Sequence, residues 1–363
     1  AQEKGKHGSM VTIREIADAC GVSVATVSNV LNGRANVGLE TRKRVLEVVR
    51  QKGYQPDYIA RGLRKKKTNM IGIIAEDIAQ FSTPAIMEGI MAYCEEKKYR
   101  TVIQNLRLYA RWGEAWYDNE SVYHSVLTSA MQEMFSIRVD GILYVAGHAR
   151  DIRYFSEPMP VPAVVAYAYT HSAYTPAVVI DDERAACEMT LYLISKGHRR
   201  IGIIAGRENN IHTGCRLRGY QKALFEEHIL YNPNLVCYGD WERASGYRLA
   251  QKLVKEGATA IFCLCDRMAG GVYDYFREQG IRVGDDISVA GFDNQELSAY
   301  FAPGLTTMGI NLSEIGTEAA AVLLERLQLE EDEKPKGILE KKIPCTMIRR
   351  ESVKRAAGSA SAE

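Results

Sequence analysis

At 363 residues, 46% hydrophobic and 25% charged, the chain is long enough for more than one domain and has the composition of a soluble globular protein. No apolar run approaches the roughly 18 residues that span a bilayer, and no secretory signal core opens the chain, so a cytoplasmic protein without membrane contact is expected. The net charge of +1 hides an asymmetry, because residues 1–67 hold 14 Lys/Arg against 6 Asp/Glu and the remainder 32 against 39; a basic head on an acidic body points to a polyanionic partner, with a solvated charged face as the alternative.

Ala1 to Ser9 reads as a vector-derived remnant ahead of a natural start at Met10. Ile13, Ile16, Ala17 and Cys20 then recur at helical spacing. Thr12 and Glu15 form a candidate capping box, and Gly21 supplies the left-handed residue that ends a helix. Ser23 can cap a second helix, Val24–Leu31, so residues 12–31 read as a helix-turn-helix. A third helix is predicted from about Leu39 to Gln51, with Val45, Leu46, Val48 and Val49 as its apolar face. Tyr58–Arg64 is too short to be a stable isolated helix and reads as a hinge that folds on a partner, followed by Lys65–Lys67.

From Met70 the texture changes to short apolar strands separated by amphipathic stretches. Candidate strands are 71–75, 101–104, 141–145, 163–166, 178–180, 201–205, 235–238, 261–264, 288–291 and 306–310. Continuous apolar strands with helical crossovers imply parallel sheets covered on both faces. Met70–Ala75 (MIGIIA) and Arg200–Ala205 (RIGIIA) echo each other, so the fold class is α/β, with two doubly wound lobes facing a cleft behind an all-α head. The aromatic segment Leu106–Glu120 either lids that cleft or packs as a surface loop. Cys263-x-Cys265 has no second pair nearby, so reduced thiols rather than a zinc site are expected, and no cofactor.

The run Val11–Gly33 (VTIREIADACGVSVATVSNVLNG) closely resembles the headpiece of the lactose-repressor (LacI/GalR) family. The resemblance continues through Tyr54-x-Pro56, Ala60-Arg61-x-Leu63, Ile71–Ile74, Val139–Ile142, Gly197–Gly202, Arg216-x-x-Gly219-Tyr220, Gly239-Asp240-Trp241 and Val289–Asp293. It implies a DNA-binding regulator, not an enzyme: a homodimer reading a near-palindromic operator, with a periplasmic-binding-protein-like core that holds a small-molecule effector between its lobes. The expected layout is a headpiece at 10–57, a hinge at 58–68, an N-terminal lobe at 69–168 and 303–328, a C-terminal lobe at 169–302 and 329–353, and a disordered tail at 354–363.

In such a headpiece the second helix enters the major groove. Val24 and Ala25 offer only apolar contact, and Asn29, where many family members carry Arg, would pair with adenine. Thr12, Ser23, Thr26, Ser28 and Asn32 would contact phosphate and sugar, Ala60 and Arg64 within the hinge would also bind DNA, and Val27 reads as helix packing. In the core the resemblance assigns the effector to Phe81, Tyr167, His212, Arg216, Trp241, Cys265 and Asp293. Arg216 would grip hydroxyls or a carboxylate, with a surface salt bridge as its alternative. Asp293 would accept sugar hydroxyls. Trp241 would stack on a sugar ring, with core packing as its rival. Tyr167 replaces an aspartate and Cys265 an asparagine of some members, so known specificities do not transfer. A carbohydrate is still favoured, against a corepressor of another metabolite class or a carbohydrate-binding protein without gene control.

By resemblance, Leu63 wedges between base pairs in the minor groove. Leu63→Ala is therefore expected to weaken operator binding strongly in a gel-shift titration, and unchanged affinity would remove the wedge.

Overall fold

The computed structural model describes residues 11–31, 33–34, 36–54, 67–113, 115–117, 119–329 and 337–356. The chain divides between Thr68 and Asn69 into two units. In the first, the capping box forms: Thr12 Oγ1 accepts from Glu15 N (3.3 Å), and Glu15 Oε2 accepts from Thr12 N (2.7 Å). Helix α1 (Ile13–Cys20) ends on Gly21 at φ 60°. Ser23 Oγ accepts from Thr26 N (3.1 Å) at the start of α2 (Val24–Leu31). Ile16, Ala17, Cys20, Val27, Val30 and Val45 form the core under α3 (Leu39–Gln51). Leu46 departs from expectation. It is 46% exposed, because one residue past Val45 the helix has turned about 100° away from the core. The hinge Tyr58–Arg64, with Ala60, Leu63 and Arg64, lies outside the described residues, as do Asn32 and the leader 1–9.

The second unit holds two six-stranded sheets. Strands β1 (Met70–Ala75), β2 (Arg100–Asn105), β3 (Gly141–Val145), β4 (Ala163–Ala166), β5 (Ala177–Ile180) and β11 (Glu340–Ile343) pair in the order β11-β5-β4-β3-β1-β2, all parallel. Strands β6 (Ile201–Ala205), β7 (Val236–Tyr238), β8 (Ala260–Cys263), β9 (Ser288–Asp293), β10 (Thr306–Gly309) and β12 (Thr346–Ile348) pair in the order β12-β10-β9-β8-β6-β7, with β12 antiparallel. The echo between β1 and β6 is topological as well: each opens its sheet and sits between that sheet's second and third strands. Both faces are covered by α4 (Thr83–Glu96), α5 (Leu108–Trp112), α6 (Glu120–Ser136), α7 (Asp182–Ser195), α8 (Ile211–Glu226), α9 (Arg243–Lys255), α10 (Asp266–Gln279) and α11 (Leu312–Arg326).

The lobe boundaries differ from those expected. Strand β5 and β11 belong to the first sheet and β10 to the second. The chain therefore crosses between lobes near 181, 310 and 344, and the first lobe is 69–180 with 310–343. Strands β4 and β5 run parallel with no helix between them, so nothing in the intervening pattern marks them as sheet neighbours. The tail begins later than expected. Lys354 N donates to Ser288 Oγ (3.1 Å) and Ala356 N to Lys196 O (2.9 Å), which ties residues 354–356 to the second lobe; 357–363 lie outside the described residues.

Helices α4 and α11 cross at backbone contact distance. A Cβ on Gly316 would lie 1.9 Å from Ile86 O, and one on Gly89 2.0 Å from Ser313 O. Gly316→Ala must force the helices apart, and we expect a loss of about 1–3 kcal/mol in urea unfolding. Gly214→Ala, whose Cβ would meet only Arg218 at 3.7 Å, should leave stability unchanged or raise it by up to about 1 kcal/mol through helix propensity.

Candidate functional site

The helix-turn-helix presents two kinds of surface. Val27 is fully buried, in line with the packing role read for it. Thr12, Ser23 and Ala25 are exposed, and Val24, Thr26, Ser28 and Asn29 are half-buried. Val24 packs partly against the core, and Thr26 Oγ1 lies 2.9 Å from Ser23 Oγ. The outer face of α2 is therefore small and nearly apolar apart from Asn29 and short hydroxyls.

The second site lies where the two sheets end. In open parallel sheets ligands bind beyond the carboxyl ends of the strands, and here every expected residue follows such an end: Phe81 after β1, Tyr167 after β4, His212 and Arg216 after β6, Trp241 after β7, Cys265 after β8 and Asp293 at the end of β9. All seven line one cavity of about 350 Å³ between the lobes. Tyr109, His148, Asn210, Arg267 and Gln295 also line it. Sequence reasoning missed these five, although each also follows a strand, which was the signal that could have found them.

Arg216 is 2% exposed, which removes the surface salt bridge as its alternative. Its Nε donates to Asp182 Oδ1 (2.7 Å) and an Nη to Leu264 O (2.5 Å), and its guanidinium lies 3.5 Å from the Phe292 ring centre. Asp182 is the first residue of α7. It is 2% exposed and also bonds His212 Nδ1 (2.7 Å). On the far side Ala149 N donates to His212 Nε2 (3.4 Å), so the network assigns the proton of a neutral His212 to Nδ1. Burial works to raise the Asp182 carboxyl, but its interactions with His212 and Arg216, each of which also hydrogen-bonds it, outweigh burial and hold the group below its usual range.

Asp293 is pushed the other way. Burial raises its carboxyl to about 6, against the pull of Arg216, whose Nη is 3.7 Å away, and of a hydrogen bond from Gln295 Nε2 (3.1 Å). Asp266, buried nearby, accepts from Thr307 Oγ1 (2.6 Å) and Gln295 N (2.8 Å); burial and the neighbouring Asp293 raise its carboxyl well above the usual range. The site thus holds one acid fixed as an anion and one poised near neutrality.

Trp241 packs in the core, against the apolar clusters on both faces of the second sheet, and faces the cavity as well. Its ring lies against Gly206, where a Cβ would come within 1.9 Å. Cys265 caps α10 by accepting from Met268 N (3.4 Å), and its Sγ donates to Trp241 O (3.6 Å). Tyr167 stands 5.5 Å from the His212 ring, and Phe81 is 44% exposed at the mouth. Tyr167, Trp241 and Asp293 carry φ of 73°, 71° and 105°, strain of the kind that collects at ligand sites. The aromatic segment also divides. Trp116 is buried, with Arg150 over its ring at 4.8 Å, whereas Tyr109 and Tyr117 face cavities.

Comparison with known proteins matches residues 12–57 to the model of bacterial regulatory proteins of the lacI family, and residues 190–353 to a periplasmic binding protein-like domain. Catabolite control protein A of Priestia megaterium is 33% identical over 328 residues, covering 88% of this chain and 93% of that protein. The HTH-type transcriptional repressor PurR of Klebsiella pneumoniae (strain 342) is 33% identical over 330 residues, covering 89% and 92%. Among solved structures, the lac repressor dimer bound to operator and the anti-inducer ONPF superposes with a TM-score of 0.76 at 26% identity, covering 95% of this chain and all of that one.

Removing the Asp182 charge leaves Arg216 buried without its counter-ion. Asp182→Asn should cost about 3 kcal/mol or more in urea unfolding. Arg184→Ala, which breaks the exposed Arg184–Glu188 pair one helical turn apart, should cost less than about 1 kcal/mol. Similar losses in the two variants would show that the buried pair does not anchor this site.

Proposed function

The chain belongs to the LacI family of bacterial regulatory proteins, and from that premise we propose that it is a repressor that binds operator DNA as a dimer and is switched by a carbohydrate held in the cleft. The family acts by binding DNA, not by turning over a substrate. Its place of action is the cytoplasm; among the described residues no helix is long and apolar enough to cross a membrane.

The observation that carries the ligand reading is the composition of the cavity wall. Phe81, Tyr109, Tyr167 and Trp241 supply aromatic surface, and Arg216, Asn210, Arg267, Asp293 and Gln295 supply converging donors and acceptors. Aromatic faces suit the C–H faces of a sugar ring, and planar polar side chains suit its hydroxyls. Arg216 would donate from a guanidinium already neutralised by Asp182, which favours hydroxyls over a second full negative charge. Asp293 would accept hydroxyl protons as a carboxylate. On the DNA side, Asn29 would carry the base reading in the major groove, worth about 1–3 kcal/mol of discrimination, with Thr12, Ser23, Thr26 and Ser28 on the backbone and Val24 and Ala25 against thymine methyls. The hinge residues Ala60, Leu63 and Arg64, and Asn32, all outside the described residues, complete the proposed DNA surface.

A thermal-shift screen of neutral sugars and sugar phosphates tests this reading. A true effector at 100 times its dissociation constant should add about 2.7 kcal/mol of stability and change operator affinity in the same buffer. If no sugar shifts the melt, the carbohydrate reading falls. The ionisation of Asp293 gives a second test. Above about 6 it is a charged acceptor, and below that it is neutral, so sugar affinity should weaken as pH falls from 7.5 to 5. Calorimetric titration should show this slope in the wild type and a flat profile in Asp293→Asn.

A further inference from the structure

The cleft continues past Trp241. A second cavity of about 510 Å³ shares Trp241, His148 and Asn210 with the first and is the larger of the two. Its first-lobe wall is Tyr117, His148 and Arg150, and its second-lobe wall is Arg207 and Asn209.

This outer cavity repeats the chemistry of the inner one. Tyr117 stacks on buried Trp116 at 4.1 Å and meets His148 edge-on at 5.9 Å, so its ring is held in place. Arg150 is fixed by Glu76 (2.5 Å) and by the rings of Trp116 and Tyr123 at 4.8 and 4.6 Å, which anchors the floor. Asn209 and Arg207 bring planar amide and guanidinium groups to the opposite side. A ligand seated on Asp293 and Arg216 and filling the inner cavity would end against Trp241, leaving the outer cavity to water alone. Aromatic surface faced by planar donors, on both sides of one tryptophan, suits a molecule that repeats the same ring.

We propose that the effector is an oligosaccharide of at least two rings, with one ring held by Asp293 and Arg216 and the next lying in the outer cavity between Tyr117 and Arg207, so that the glycosidic bond passes Trp241. The proposal rests on the carbohydrate reading above and narrows it to a class.

Calorimetric titration of the full-length protein with glucose, galactose and mannose and with disaccharides built from them tests it. One disaccharide should bind at least about ten-fold tighter than its component hexose. Tyr117→Ala and Arg207→Ala should each erase most of that advantage while leaving hexose affinity within about two-fold. Arg207 is exposed, so its variant keeps the test open if Tyr117→Ala does not fold. A hexose that binds while every disaccharide binds no better overturns this proposal and leaves the carbohydrate reading standing. Equal loss for both ligands in the variants also overturns it, because the second ring would then not lie in the outer cavity. No binding by any sugar overturns both.

Discussion

The ion pair between Asp182 and Arg216 is the constraint on which the cleft depends. An arginine keeps its charge even at 2% exposure, so burying it without a fixed partner would strongly destabilise the fold. Asp182 supplies one at the point where the chain has just left β5 in the first sheet and begins α7 in the second lobe. The same carboxylate orients His212, one helical turn before Arg216 on α8. One residue at a lobe crossing therefore sets two cavity side chains and the tautomer of the histidine. Because the pair is already neutral, the cavity offers a ligand the geometry of a guanidinium without its full positive charge.

Strain supplies the second element of the design. Tyr167, Trp241 and Asp293 each hold a backbone conformation that costs about 1–3 kcal/mol for a residue with a side chain. Each sits at or just after a strand's carboxyl end, where the surrounding sheet can impose it. Trp241 is pinned against Gly206 from below and by the Cys265 thiol at its carbonyl. Asp293 is held by Gln295 and stands beside Arg216. The raised carboxyl of Asp293 belongs to the same economy, since a ligand that supplies hydrogen bonds relieves a buried charge the free protein leaves poorly satisfied.

What the sequence made legible follows from what kind of interaction each feature depends on. The capping box of Thr12 and Glu15 and the left-handed Gly21 are local, and they stand as read. Fully buried strands announce themselves as apolar runs, so β1, β3 and β6 were visible. Strands β11 and β12 were not, because the first is largely polar and the second only three residues long. The run Glu340–Ile343 carries two lysines, as edge strands do, and shows no apolar pattern. The lobe crossings were misplaced because sheet membership is a long-range property: β5 belongs with β4 through hydrogen bonds that no local signal encodes. Asp182 escaped for a related reason. Its carboxylate looks in sequence like any acidic residue opening a helix, and only the approach of α8 makes it an anchor.

Switching sets a further demand that the geometry can be held against. Moving a two-state protein from 1:99 to 99:1 takes about 5.5 kcal/mol of differential affinity. The hydrogen bond from Ala149 in the first lobe to His212 in the second is worth about 1 kcal/mol on its own, too little to decide the lobe arrangement. The Asp182–Arg216 pair contributes nothing to the difference, since both residues ride on the second lobe and move together. The differential must come from a ligand that touches both lobes at once, with Phe81, Tyr109, His148 and Tyr167 on one side and Arg216, Trp241 and Asp293 on the other. A molecule satisfied by Asp293 and Arg216 alone would bind both lobe arrangements equally well and would leave operator affinity where it was.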